Sequence, residues 1–226
     1  MKTLTSHLNT VKTSGATILY VTAAAPYHHG DLREALALEA FEQVRVKGSA
    51  AVSLRAVAQA VGVSASAAYH HFPDKTALMQ EVGDRGSREL DRRTVLAAES
   101  VKGRGRRAAV ARLRACGMAY IGFARDEPHL FRHTFGEDCA AGFGTGEASV
   151  KDSAAYRTLG DCLDDLDRLG VLAVRREGLE LLAWTSVHGF ASLHIEGFMP
   201  DGAAEALMAT MLGAVVRPAG ARARQP

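Results

Sequence analysis

The sequence predicts an all-α fold, and three observations carry that expectation. Alanine recurs in long stretches while aromatic residues are only 6% of the chain, a mix that favours helix over strand. Apolar side chains return every three or four positions through most of the sequence. No segment shows the strict alternation of a half-buried strand, and there is no internal repeat. The 226 residues suggest one large domain or two small ones, and at 47% hydrophobic and 23% charged they can bury a core.

The first 27 residues predict a poorly ordered arm. Lys2 and Lys12 ahead of ATILYVTAAA have the outline of a secretory signal, but Ser and Thr are frequent before and within that run. Ala16 to Ala25 is about half the ~20 residues a membrane span needs, so no membrane partner is expected. From Asp31 to Lys47, Leu32, Leu36, Ala40 and Val44 recur every fourth position, widened by Ala37 and Phe41, and Gly48 stops the helix. Ser53 caps a second helix, in which Leu54, Val57, Ala58 and Val61 share one face before Gly62 ends it. Ser64 caps a short helix from Ala65 to His71. Pro73 suits the first turn of the next helix and Asp74 its positive end, and that helix runs from Lys75 to about Ser100. Gly103 and Gly105 mark a turn. Further helices are expected at 106–125, 130–135, 151–169, 177–198 and 203–216, with a glycine-rich loop at 136–149 and a loose tail from 217 to 226.

Charge and cysteine usage narrow the function classes. Lys102 to Arg114 holds six basic and no acidic side chains, whereas residues 115–216 carry a net charge of −8. The basic run is compatible with nucleic acid and equally with a solvated linker. The acidic half hints at a cationic ligand, unless its carboxylates simply face solvent. Cys116, Cys139 and Cys162 are odd in number and far apart, so neither a disulfide framework nor a metal clip is indicated, and a reducing cytoplasm is the default. No cofactor motif is present.

Ser53 to Lys75 is the informative segment. Two short helices joined by Val61-Gly62-Val63-Ser64 have the spacing of a helix-turn-helix, whose second helix enters the major groove of DNA. Ala65, Ser66 and Ala67 are small enough for close backbone approach. Ser64 and the helix start can meet phosphate, Tyr69 and His70 carry hydrogen-bonding tips, and Lys75 offers a compact cation. His70 and His71 gain charge as pH falls below neutral, which would strengthen operator binding. The plain alternative is a three-helix core fragment with no DNA role.

The run AVSLRAVAQAVGVS followed by AYHHFPDKTAL resembles the N-terminal domain of TetR-type transcriptional regulators. That resemblance implies a DNA-binding domain at 28–75, with Arg55 near base edges or phosphate, residues 64–70 in the groove, and Tyr69 and Lys75 on phosphates. Ser53 would both cap its helix and touch phosphate. YIGFARDEPHLFRHTFG and WTSVHG resemble a TetR subgroup with a Trp-His-Gly C-terminal domain. They imply an effector-binding and dimerisation domain at 76–216, the last two helices pairing in a second chain, and a double-stranded palindromic operator. The effector is unknown. Met118, Phe123, Leu130, Phe131, Phe135, Trp184 and His188 are candidate pocket residues, and apolar residues at such spacing are also ordinary core. Two other readings are a metal-dependent enzyme built on His129, His133 and Asp138, and an architectural DNA-binding protein with no ligand.

Overall fold

The computed structural model describes residues 29–136, 152–200 and 202–218, and among these it is helical, with no strand. The N-terminal arm, most of the glycine-rich loop with Asp138 and Cys139, and the end of the tail lie outside the described residues. The first helix, α1 (His29–Lys47), begins two residues ahead of the Asp31 start expected from the sequence. Of the stripe read from the sequence it buries Leu36, Ala37, Ala40 and Val44, while Leu32 and Phe41 are half-buried. A single 3-10 turn at Ser49–Ala51, not anticipated, leads into α2 (Leu54–Val61) and α3 (Ala65–His71). Gly62 between them is left-handed at φ 82° and ψ 26°. The amides of Gly62 and Val63 fold back onto the Gln59 and Ala58 carbonyls, so the turn satisfies the end of α2 with its own backbone.

α4 (Lys75–Ser100) is capped by the Asp74 carboxylate, which accepts from the Ala77 amide at 2.8 Å. Pro73 therefore lies before the cap and not in the first turn, because the side-chain acceptor of Asp74 fills the position where the helix begins. At 26 residues α4 is about 39 Å long and serves two neighbourhoods. Its first half, with Leu78, Met79 and Val82, closes the core made by α1, α2 and α3. Its second half packs among α5 (Arg106–Asp126) and α7 (Ala154–Arg168). Arg33 of α1 ties the first three helices to α4. It lies 4.4 Å over the Phe72 ring and donates to the Glu81 carboxylate at 3.1 Å.

Pro128 opens α6 (Pro128–Phe135), which lies against both α1 and α4. Leu130 and Phe131 join the buried core there, and the buried His133 donates from Nε2 to the Met79 carbonyl at 2.8 Å. α7 starts at Ala154, three residues later than its apolar pattern suggested. Ser153 caps it locally, and Asp91 of α4 accepts from the amides of Ala154 and Ala155, a long-range cap no local pattern encodes. α8 (Leu179–Ile195) is shorter at both ends than the expected 177–198 and begins after a left-handed Gly178. α9 (Ala203–Val215) follows Gly202. Leu181, Leu182 and Leu193 of α8 are exposed, and α9, with Glu205 as its one charged residue, buries only Met208. Among the described residues no helix is long and apolar enough to cross a membrane.

Candidate nucleic-acid interface and effector cavity

α2 holds α3 by its buried face, and this orients what α3 presents outward. Ala68 faces inward with Phe72 beneath it, both about 1% exposed or less. Ser66, Tyr69 and His70, spaced i, i+3 and i+4, lie on the exposed side, with Ala65 and Ala67 half-buried at its edges. Ser53 and Ser64 use their hydroxyl oxygens as caps, accepting from the amides of Ala56 and Ala67 at 3.2 Å. Each keeps its O–H as a donor, so capping and a phosphate contact are compatible. Arg55 is exposed on the first turn of α2. The exposed Lys75 donates from Nζ to the Ser49 carbonyl at 2.9 Å, bracing the 3-10 turn against the start of α4. The rings of His70 and His71 meet edge to face at 5.6 Å.

The basic run from Lys102 does not join this surface. It begins at the far end of α4 from Lys75, about 39 Å away. Part of its charge is spent locally, the Arg106 guanidinium on the Arg217 carbonyl and Arg112 on Asp165 at 3.2 Å.

Five of the seven candidate pocket residues fall into one chain of ring contacts, with Tyr120 at its centre. Tyr120 meets Trp184 at 5.0 Å and Phe131 at 6.0 Å, Phe131 meets Phe123 at 6.4 Å and Phe135 at 4.9 Å, and Trp184 stacks on His188 at 6.2 Å. The Tyr120 hydroxyl lies 2.8 Å from His188 Nδ1. Burial lowers the His188 pKa and raises that of Tyr120, so burial favours the neutral form of both groups, and the imidazole tautomer sets which of them donates. Sequence reasoning missed Tyr120, although its place one turn before Phe123 on an apolar stripe was a usable signal. Leu130 sits in the core, and Met118 lines a different, more polar hollow with Arg125, His194 and Glu205.

A separate cavity of about 240 Å³ lies between α4, α5, α7, α8 and α9. Trp184 is the only one of the seven candidates in its wall. Leu113, Cys116, Leu159, Leu163 and Met211 also line it, and among the described residues no acid does. Among the described residues, the acidic side chains of this half of the chain do not reach the cavity. Of the two histidines considered for metal binding, His133 already donates to a carbonyl and His129 packs against Gly48. Among the described residues no group of three or more His, Cys, Asp or Glu side chains could hold a metal ion.

Residues 36–82 match the family model for bacterial regulatory proteins of the tetR family, and residues 113–215 match the tetracyclin repressor-like C-terminal domain. Among solved structures, a protein of unknown function from Rhodococcus sp. RHA1 is similar at 26% identity and a TM-score of 0.71, over 85% of this chain and 99% of that one. A TetR-family transcriptional regulator from Pectobacterium atrosepticum is similar at 25% identity and a TM-score of 0.57, over 82% of this chain and 91% of that one. A TetR family transcription regulator from Marinobacter aquaeolei VT8 shares the fold at 18% identity and a TM-score of 0.57, over 82% and 96% of the two chains. No curated protein matches the chain.

Proposed function

The chain belongs to the TetR family of bacterial transcription regulators, and from that premise we propose that it is an effector-responsive repressor that binds a palindromic operator as a homodimer. One observation carries the DNA-reading part: α3 is anchored by Ala68 and Phe72 while Ser66, Tyr69 and His70 stand clear of the body. A duplex major groove admits such a helix, and Arg55, Ser53, Ser64 and Lys75 surround it with donors for phosphate. The uncovered apolar faces of α8 and α9 support self-pairing, since a second copy would bury Leu181, Leu182 and Leu193. Twofold pairing sets two copies of α3 about 34 Å or a multiple apart, and this spacing is what a palindrome reads.

In the proposed switch, α4 is the lever, because it is shared by the DNA-reading core and the C-terminal bundle. An effector that prefers a different bundle packing moves α4 and spoils the spacing, by no more than its differential affinity for the two states.

A footprint on the DNA upstream of the gene, against random duplex, tests this reading. Protection of an inverted repeat is expected. Arg55→Ala is expected to cost ~1–3 kcal/mol of discrimination if it reads a base. Lys75→Ala is expected to weaken all sequences alike and to lower the salt slope by about one. Equal affinity for promoter and random DNA, or a protein that sediments as a monomer, would remove the reading.

A further inference from the structure

We propose that the cavity between α4, α5, α7, α8 and α9 is the effector site and takes a small uncharged apolar molecule, recognised by shape and not by polar pairing. The proposal rests on the regulator reading above and names its ligand class.

The wall is aliphatic, sulfur-bearing and aromatic, with Leu113, Cys116, Tyr120, Leu163, Trp184 and Met208 around it and, among the described residues, no charged side chain. Its inner polar groups are already engaged within the protein. The Tyr120 hydroxyl is bonded to His188, Thr94 Oγ1 donates to the Leu90 carbonyl at 2.8 Å, and Ser186 Oγ donates to the Leu182 carbonyl at 2.7 Å. The remaining hydroxyl, Thr210, is exposed at the rim. Cys116 is neutral as well, its thiol pushed up to about 12 chiefly by burial. A charged ligand would therefore lose its water and gain no partner, a penalty that makes it at least about 100-fold weaker than a neutral molecule of the same shape. For size, an apolar cavity of about 150 Å³ holds benzene, so about 240 Å³ suits a ring carrying a few alkyl carbons.

The position suits an effector. Thr94 belongs to α4, and Tyr120 and Trp184 belong both to the cavity wall and to the ring cluster that runs through Phe131 on α6. α6 lies on α1 and α4, so filling the cavity presses on the elements that place α3. The exposed members of the lining, Leu182, Thr210 and Ala214, all lie on α8 and α9. The cavity thus opens on the face assigned above to the second copy, which would close it.

The full chain is titrated with 4-isopropyltoluene, and in parallel with 4-isopropylbenzoate and 4-isopropylbenzylamine, which keep the shape and add charge. Emission of Trp184, the one tryptophan of the sequence, and the unfolding temperature are the two readouts. A saturable change with the hydrocarbon is expected, with the two ions at least about 100-fold weaker. Ala183→Leu, which pushes a methine and two methyl groups into the cavity, should weaken the hydrocarbon tenfold or more. Ala155→Val is the milder variant should Ala183→Leu fail to fold by circular dichroism, and it should weaken binding in the same direction. No saturable change with the hydrocarbon up to its solubility limit would overturn the proposal. So would equal affinity for an ion, or unchanged affinity in the folded variants. Operator binding is measured separately on ligand-free protein, so a failure to select DNA would strike the regulator reading and leave the binding result intact.

Discussion

Gly86 of α4 packs closely against Thr134 of α6, and replacing it should have a sign that depends on one neighbouring atom. A Cβ built on Gly86 would lie 2.1 Å from Thr134 Oγ1 but 3.5 Å from Thr134 Cβ and 3.8 Å from its Cγ2. In an isolated helix Gly→Ala would gain about 0.5–1 kcal/mol. Forcing the methyl group against a stiff, buried threonine costs about 1–3 kcal/mol, so Gly86→Ala alone is expected to destabilise by about 1 kcal/mol. Thr134 is 1% exposed and its hydroxyl has no hydrogen-bond partner among the described residues, so Thr134→Ala removes a buried polar group along with a methyl group. In that background the collision is gone, and Gly86→Ala should stabilise by its helix preference, about 0.5–1 kcal/mol. The coupling between the two sites is then about 1–3 kcal/mol. Urea unfolding of the four proteins at one fixed protomer concentration, followed by circular dichroism and Trp184 emission, measures it. A stabilising Gly86→Ala in the Thr134 background, or coupling below about 0.3 kcal/mol, would refute the close approach.

Two further expectations concern the turn and the surface. At Gly62 a Cβ meets nothing within 4 Å, so Gly62→Ala should cost only the left-handed backbone penalty, about 1–2 kcal/mol, and lower the melting temperature by about 2–8 °C, with Gly62→Asn clearly milder. A melt in which Asn costs as much as Ala would contradict this. Glu89 is held at a pKa of about 2, first by its hydrogen bond from Arg92 and then by Arg93. A depressed carboxyl contributes stability above its unfolded value of about 4.5 and loses it as pH falls toward 2. The gap between the native chain and Glu89→Gln should therefore be flat above pH 5, no more than about 1 kcal/mol because the pair is partly solvated, and close between about pH 4.5 and 2. A gap that widens on acidification would reverse the sign of this reasoning.

Local chemistry settled the N-terminal elements from sequence. Ser53, Ser64 and Asp74 each satisfy a helix start with a side chain three residues away, and Gly62 ends α2 because it tolerates a positive φ, so these boundaries are legible without knowing the fold. The stripes likewise predicted most of what is buried, Leu36, Ala40 and Val44 in α1 and Leu54, Val57 and Ala58 in α2, with Leu32, Phe41 and Val61 half-buried at their ends and edges, since helix periodicity alone puts them on one face. Tertiary packing decided the rest. Which apolar side chains line a space and which fill it depends on how five helices converge, so Leu113, Cys116, Leu159 and Leu163 border the cavity while Phe123 and Leu130, equally apolar in sequence, are packed solid. The same holds for polar groups whose partners are remote. Asp91 caps a helix about sixty residues away, Tyr120 meets His188 across two helices, and Gly86 faces Thr134, because hydrogen bonds and close contacts act on distance in space, which a linear pattern of residue types does not carry.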